Sequence, residues 1–116
     1  MKLSLKLTQS VDRVINVVAR DADGERLDLT GLTGSAITWR LAKESTRDAD
    51  LTAALAYSLS DNIALTDADQ GEFSITIEGE DLDGLVGNYQ HQCLLSLSGA
   101  KYRPVFGNAT IEKDIE

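Results

Sequence analysis

Three Asp-Ala-Asp triplets are the part of this sequence whose spacing most resembles a metal site. Their carboxylates are Asp21 and Asp23, Asp48 and Asp50, and Asp67 and Asp69. Alternate carboxylates in a loop are ligands of the kind that calcium uses. The first triplet, however, lacks the further oxygen ligands and the closing glutamate of an EF-hand loop, and Asp and Gly are turn formers in their own right. We therefore expect solvated turns and no metal or cofactor, with Asp21, Asp23, Asp67 and Asp69 as weak calcium candidates only.

The single histidine, His91, is the side chain best suited to acid–base catalysis. It lies in phase with Tyr89 and Cys93 in an alternating apolar segment, which favours a packed imidazole over a catalytic base. The sequence has no glycine-rich phosphate loop, no His/Cys set at metal spacing and no nucleophile elbow. These observations predict a protein that is not an enzyme and has no catalytic or cofactor-binding residues.

The cysteine and the aromatic residues fit a hydrophobic core better than a binding surface. Cys93 is the only cysteine, so it has no partner for an internal disulfide and is expected to be a small buried hydrophobe. Trp39, Phe73 and Tyr89 occupy inward positions of predicted strands, and with Cys93 they form the predicted structural core. Two other aromatic residues, Tyr57 and Tyr102, are predicted to reach the surface.

Length and charge limit the class of protein. A chain of 116 residues suits one domain, residues 1–116, because two cores would each bury too little apolar surface. The 19 acidic and 11 basic residues give a net charge of −8, which repels nucleic acid. No apolar run is long enough to cross a bilayer or to serve as a signal peptide. We expect a protein made in a cytoplasm, with neither nucleic acid nor membrane as a partner.

Apolar residues recur mostly at every second position, and turn residues separate the runs. This pattern predicts about seven to eight short β-strands and an all-β fold. A tight reversal is expected at Asp23-Gly24, followed by a strand that contains Leu27 and Leu29. Residues 51–59 fit either a short helix or a strand, with strand favoured, and residues 80–85 fit one helical turn. Pro104, at the start of the last predicted strand, suits an edge or an entrance to a sheet.

The segment that ends at Tyr89 has the form of a tyrosine corner, in which a Tyr just after a sheet crossover hydrogen-bonds to upstream backbone. Together with Trp39 on an earlier strand, it predicts an immunoglobulin-like β-sandwich. The usual cysteine pair is absent, and Cys93 lies four residues after Tyr89 rather than two.

Several motifs resemble those of small immunoglobulin-like structural proteins of tailed phages and prophages, including the amino-terminal domains of baseplate upper proteins and related tail components. The resemblance covers most of the chain. It rests on six pieces of sequence: Asp21-Ala22-Asp23-Gly24, Leu27-Asp28-Leu29-Thr30-Gly31, Trp39-Arg40-Leu41-Ala42, Gly71-Glu72-Phe73-Ser74-Ile75-Thr76-Ile77, Gly87-Asn88-Tyr89-Gln90-His91-Gln92-Cys93 and Gly107-Asn108-Ala109-Thr110-Ile111.

This resemblance implies a non-enzymatic tail, neck or baseplate component that binds other virion proteins, forms an oligomer in the particle, and passes from the host cytoplasm into the virion. Residues 3–7 and 105–111 are the expected contact strands, since an edge strand can pair with a neighbour. A carbohydrate-binding or adhesion module, with loop aspartates and possibly calcium, is the alternative hypothesis. A small enzyme is a third and weaker one.

Overall fold

The computed structural model describes residues 2–43 and 55–113, and this part of the chain is all-β. Three single turns of 3₁₀-helix connect strands, at Gly34–Ala36, Ala68–Gln70 and Gly79–Leu82. The strands, in chain order, are β1 (Leu5–Thr8), β2 (Arg13–Val18), β3 (Ile37–Lys43), β4 (Leu55–Leu59), β5 (Asn62–Asp67), β6 (Glu72–Ile77), β7 (Gly87–Leu97), β8 (Ala100–Tyr102) and β9 (Phe106–Glu112).

The strands form one mixed, hydrogen-bonded sheet. Its order is β1-β9-β7-β3-β4-β5-β6-β2, and β8 pairs with β7 beside this path. The pair β1–β9 is parallel, whereas β9–β7, β7–β3, β3–β4, β5–β6 and β6–β2 are antiparallel. The contact between β4 and β5 is the weakest in the path, with only two residue pairs. Ser60 and Asn62, at this junction, have positive φ angles, so the chain turns sharply there.

Period-two alternation explains why these segments become strands. In β6 the side chains of Phe73, Ile75 and Ile77 are fully buried, whereas those between them are half-buried. The same alternation continues along β7, where Tyr89, His91, Cys93 and Leu95 point into the core. Burial of such side chains contributes about 1.5–3 kcal/mol each, so one face of every long strand is held inside.

Two predicted strands differ from the structure. Residues 27–29 are not a strand, although Leu29 is fully buried. The backbone N–H of Leu27 donates to Ala19, and that of Leu29 donates to Ala68. These residues therefore pack against the core without forming a continuous row of strand hydrogen bonds. The predicted last strand is divided by residues 103–105 into β8 and β9, because Pro104 has no N–H to offer a ladder. The described residues therefore contain nine strands rather than seven or eight.

The prediction that the first and the last strand lie at sheet edges is correct for the first strand only. β1 lies at one end of the strand order, as expected for residues 3–7, and β2 lies at the other. The last strand, β9, is not an edge, because it pairs with β1 on one side and β7 on the other. Within residues 51–59, the strand prediction is correct for β4, and residues 51–54 lie outside the described part of the chain.

Candidate binding groove on the outer face of β3, β7 and β9

A polar groove lies on the outward face of three neighbouring strands. The strand register places Arg40 of β3, Gln92 of β7 and Phe106 of β9 in one row across the sheet. The next row contains Ala42, Gln90 and Asn108. Side chains at alternate positions share a face, so residues that are far apart in sequence line a single surface.

The groove has a volume of about 360 Å³. Its polar and cationic lining consists of Lys2, Arg40, Gln90, Gln92, Arg103 and Asn108, and its apolar lining includes Ala42 and Phe106. The guanidinium carbon of Arg103 lies 4.2 Å from the centroid of the Phe106 ring, which is a cation–π distance. This contact holds Arg103 at the side of the groove.

The charge of the polar groove is opposite to that of the whole chain. Among the described residues, its lining holds three cationic side chains and no aspartate or glutamate, although the net charge is −8. Within residues 2–43 and 55–113, the salt bridges join Lys6 to Glu112 and Arg26 to Glu72, both away from the groove lining. Among these described residues, no carboxylate forms a salt bridge with the guanidinium group of Arg40 or Arg103.

His91 forms part of the groove lining from below and is 2% exposed. The indole Nε1 of Trp39 donates a hydrogen bond to its Nδ1 over 3.2 Å. Because an indole N–H only donates, Nδ1 must be unprotonated, and Nε2 carries the proton that it donates to the carbonyl of Leu3, 2.7 Å away. Burial lowers the pKa of His91, and this favours the neutral form of the imidazole. Both ring nitrogens are thus engaged in holding the structure together.

Gly107 allows this arrangement, since a Cβ at this position would overlap the backbone of Leu3. Residue 107 pairs with His91 in the β7–β9 ladder. The amide of Leu3 also donates to the carbonyl of Phe106. The amino-terminal segment therefore runs beside β9, and Lys2 comes to the polar groove.

The predicted core residues lie in the interior. Trp39, Phe73 and Cys93 are fully buried, and Tyr89 is 3% exposed. Trp39 stacks on Tyr57 with ring centroids 5.6 Å apart. Burial raises the pKa of the Cys93 thiol to about 12, so the thiol is protonated at neutral pH.

The prediction that Tyr57 reaches the surface is wrong, because its side chain is buried against Trp39. Its hydroxyl donates to Asp81 over 2.8 Å and accepts the backbone N–H of Glu78 over 3.2 Å. These bonds connect β4 to the 3₁₀ turn before β7. Tyr102 is half-buried.

The calcium candidates serve as turn residues. The carboxylate of Asp21 accepts the backbone N–H groups of Asp23 and Glu25 and closes the reversal before Arg26. A hydrogen bond with Asp69 raises the pKa of Asp67. Among the residues that the structure describes, no three metal-binding side chains converge. Asp48 and Asp50 lie outside the described residues.

A second recess, of about 400 Å³, is lined by acidic residues near the start of β2, including Asp12, Glu78 and Asp83. Two of these carboxylates already bond within the chain. Asp12 accepts the N–H of Gly79 over 2.7 Å, and Asp83 accepts the hydroxyl of Ser10 over 3.2 Å. These two hydrogen bonds therefore connect the β1–β2 loop to the turn after β6.

Sequence reasoning did not find the polar groove. A signal was present, because Arg40, Gln90, Gln92 and Asn108 are polar residues that alternate with core residues along their strands. None of the four is acidic. Only the strand pairing shows that they are neighbours.

Comparisons with known proteins identify no family. No protein-family model and no curated protein matches the chain. A solved structure named Tim-1 is similar over 100% of this chain and 97% of its own, with 13% sequence identity and a TM-score of 0.44. Such a distant likeness carries no argument about activity or partners. Across residues 2–43 and 55–113, no helix has the length and apolarity needed to span a membrane.

Proposed function

We propose that this chain is an immunoglobulin-like β-sandwich that serves as a non-enzymatic structural component of a phage virion, in the tail, neck or baseplate. It acts through contacts with other virion proteins. The proposed fold, the proposed non-enzymatic role and the proposed place in a virion are each supported by a different observation.

The strand order supports the sandwich. If the sheet folds at the two-pair junction between β4 and β5, β2-β6-β5 form one layer and β1-β9-β7-β3-β4 form the other. This corresponds to strands B, E and D facing strands G, F, C and C′ of an immunoglobulin domain. Trp39 then lies on strand C, where immunoglobulin domains carry their buried tryptophan.

The state of His91 supports a non-enzymatic role. A general base must be free to take a proton from a substrate, but Nδ1 accepts from Trp39 and Nε2 is committed to Leu3. Cys93 is fully buried, and its raised thiol pKa makes it a poor nucleophile. The two side chains best suited to chemistry are therefore used for packing.

The observation that carries the proposal of protein contacts is the polar groove, a recessed surface of cationic and amide groups on an outward sheet face. The virion context rests on the motif resemblance, above all on the segment from Gly87 to Cys93 that forms the first part of β7. The proposal includes an oligomer in the particle, in which the end strands β1 and β2 pair with neighbouring subunits. It also includes synthesis in the host cytoplasm.

Purified particles test this function directly. Virions from the host of this gene should contain the chain in mass spectrometry, at a constant ratio to the major capsid protein across a density gradient. Gold-labelled antibodies should bind at the tail, neck or baseplate in electron micrographs. An abundant host cytoplasmic protein serves as the control for contamination. A chain that stays with the soluble host proteins and is missing from the particle band would contradict the proposal.

A further inference from the structure

We propose that the polar groove binds an acidic peptide segment of a partner protein. This inference rests on the proposed assembly function and names the chemistry of the partner. Three properties of the groove support it: its charge, its amide groups and its half-buried aromatic ring.

The charge favours carboxylates. Arg40, Arg103 and Lys2 line the groove, the described part of its lining holds no acidic residue, and no described carboxylate forms a salt bridge with either arginine. The planar guanidinium group matches a carboxylate with two parallel hydrogen bonds. An aspartate or glutamate of a partner would supply the missing counter-charge.

The amide groups favour a peptide over a phosphate. Gln90, Gln92 and Asn108 each offer a donor and an acceptor, which is what the N–H and C=O groups of a peptide backbone require. A phosphate ligand would leave the acceptors unused.

The size and apolar part of the groove suit a short segment. A volume of about 360 Å³ is at the lower end of ligand sites, which span roughly 300–1,000 Å³. Phe106 lines the groove and is half-buried, so part of its ring stays exposed to an apolar side chain. The expected ligand therefore has carboxylates next to an apolar residue.

Titration of the ¹⁵N-labelled full chain, followed by NMR, tests this inference. The probe is an acetylated and amidated octapeptide in which aspartate alternates with leucine, and the control peptide has asparagine in place of aspartate. Amide signals of the groove strands, at Arg40, Gln92 and Asn108, should shift with the probe and not with the control. Signals of β2, which lies at the far end of the strand order, should stay in place.

Two double variants distinguish specific binding in the groove from a general attraction between opposite charges. The double variant R40Q/R103Q should weaken binding by at least about tenfold, because it removes the charge-assisted hydrogen bonds that both guanidinium groups would make to carboxylates. The double variant R13Q/R20Q makes the same change of charge at two exposed arginines outside the groove lining, and it should bind as the unchanged chain does. Unfolding curves of both double variants identify any loss of fold.

The inference would be overturned by unchanged groove signals, or by equal weakening of binding in both double variants. A short DNA duplex that shifts the same signals more strongly than the peptide would also overturn it, in favour of a nucleic-acid site. If purified particles contain the chain but the peptide fails, the groove inference is lost and the assembly function stands. If the peptide binds but the particles lack the chain, the assembly function is lost and acidic-peptide binding stands.

Discussion

Trp39 and His91 are joined in the core by a hydrogen bond from the indole Nε1 to the imidazole Nδ1, 3.2 Å long. They lie 52 positions apart in the sequence and on neighbouring strands. The bond requires a neutral imidazole, because a protonated Nδ1 would face a second donor. The core of this protein is therefore coupled to the protonation of one residue.

The first prediction is that stability falls on mild acidification. Burial lowers the folded-state pKa of His91 below its ordinary value of 6.5, so the unfolded chain takes up a proton more readily. Stability is fully present above pH 6.5 and is lost as the pH falls from there towards the folded-state pKa, by at most about 1.4 kcal/mol per pH unit. Urea unfolding between pH 8 and pH 5 measures this slope. The H91Q variant, which is neutral throughout, should lack that part of the slope, and an equal slope in both proteins would refute the prediction.

A second prediction concerns the contact between Gly107 and Leu3. The G107A variant should lose more than about 2 kcal/mol of unfolding free energy, because its Cβ would overlap the Leu3 carbonyl that accepts from His91. Gly84 also has a positive φ angle but has open space around it, so G84A should cost only about 1 kcal/mol from backbone strain. Chemical denaturation of the two variants makes the comparison. Equal losses would mean that the close approach is unimportant.

Tyr57 provides a third prediction. Its hydroxyl bonds to both Asp81 and the amide of Glu78, so Y57F should lower the free energy of unfolding by about 1–2 kcal/mol. The half-buried Tyr102 is the matched control, and Y102F should change stability by less than about 0.5 kcal/mol. Thermal unfolding followed by circular dichroism gives both values. A Y57F variant as stable as the parent would show that these bonds contribute nothing net.

The fourth prediction is that the thiol of Cys93 is inert in the folded protein. Its side chain is fully buried, and its pKa is raised to about 12, so roughly one thiol in ten thousand is ionised at pH 8. In 6 M guanidinium at about pH 8, the thiol of the unfolded chain is exposed and partly ionised, so Ellman's reagent should react with it within seconds. In buffer without denaturant, the reaction should proceed only at the rate at which the protein unfolds. A fast reaction of the native protein would place Cys93 nearer the surface.

The fifth prediction addresses calcium. Asp21 holds its own turn through bonds to the amides of Asp23 and Glu25, so D21A should cost about 1 kcal/mol. Asp23 is exposed, and D23A should cost less. Millimolar calcium should leave the melting temperature of the parent chain unchanged. A calcium-dependent rise that D21A and D23A abolish would revive the hypothesis of a calcium-assisted adhesion module.

Sequence reasoning was most successful where the signal is local. The alternation of Phe73, Ile75 and Ile77 predicts a strand with one buried face, and β6 has that form. It was least successful where burial depends on distant partners. Tyr57 was expected at the surface because tyrosine tolerates water, but Trp39 and the turn that holds Asp81 enclose it.

The sequence alone determined three features of this protein: its strand character, the inward faces of its strands and the turn at Asp21. Each of these features depends on residues within a few positions of one another. Only the tertiary structure decided that β9 lies between β1 and β7, that residues 27–29 pack without a ladder, and that Arg40, Gln92 and Phe106 form one row. Strand pairing depends on how all the buried faces fit together, and no local pattern encodes which strands become neighbours. The polar groove is a product of that pairing, so it could not be located before the strand order was known.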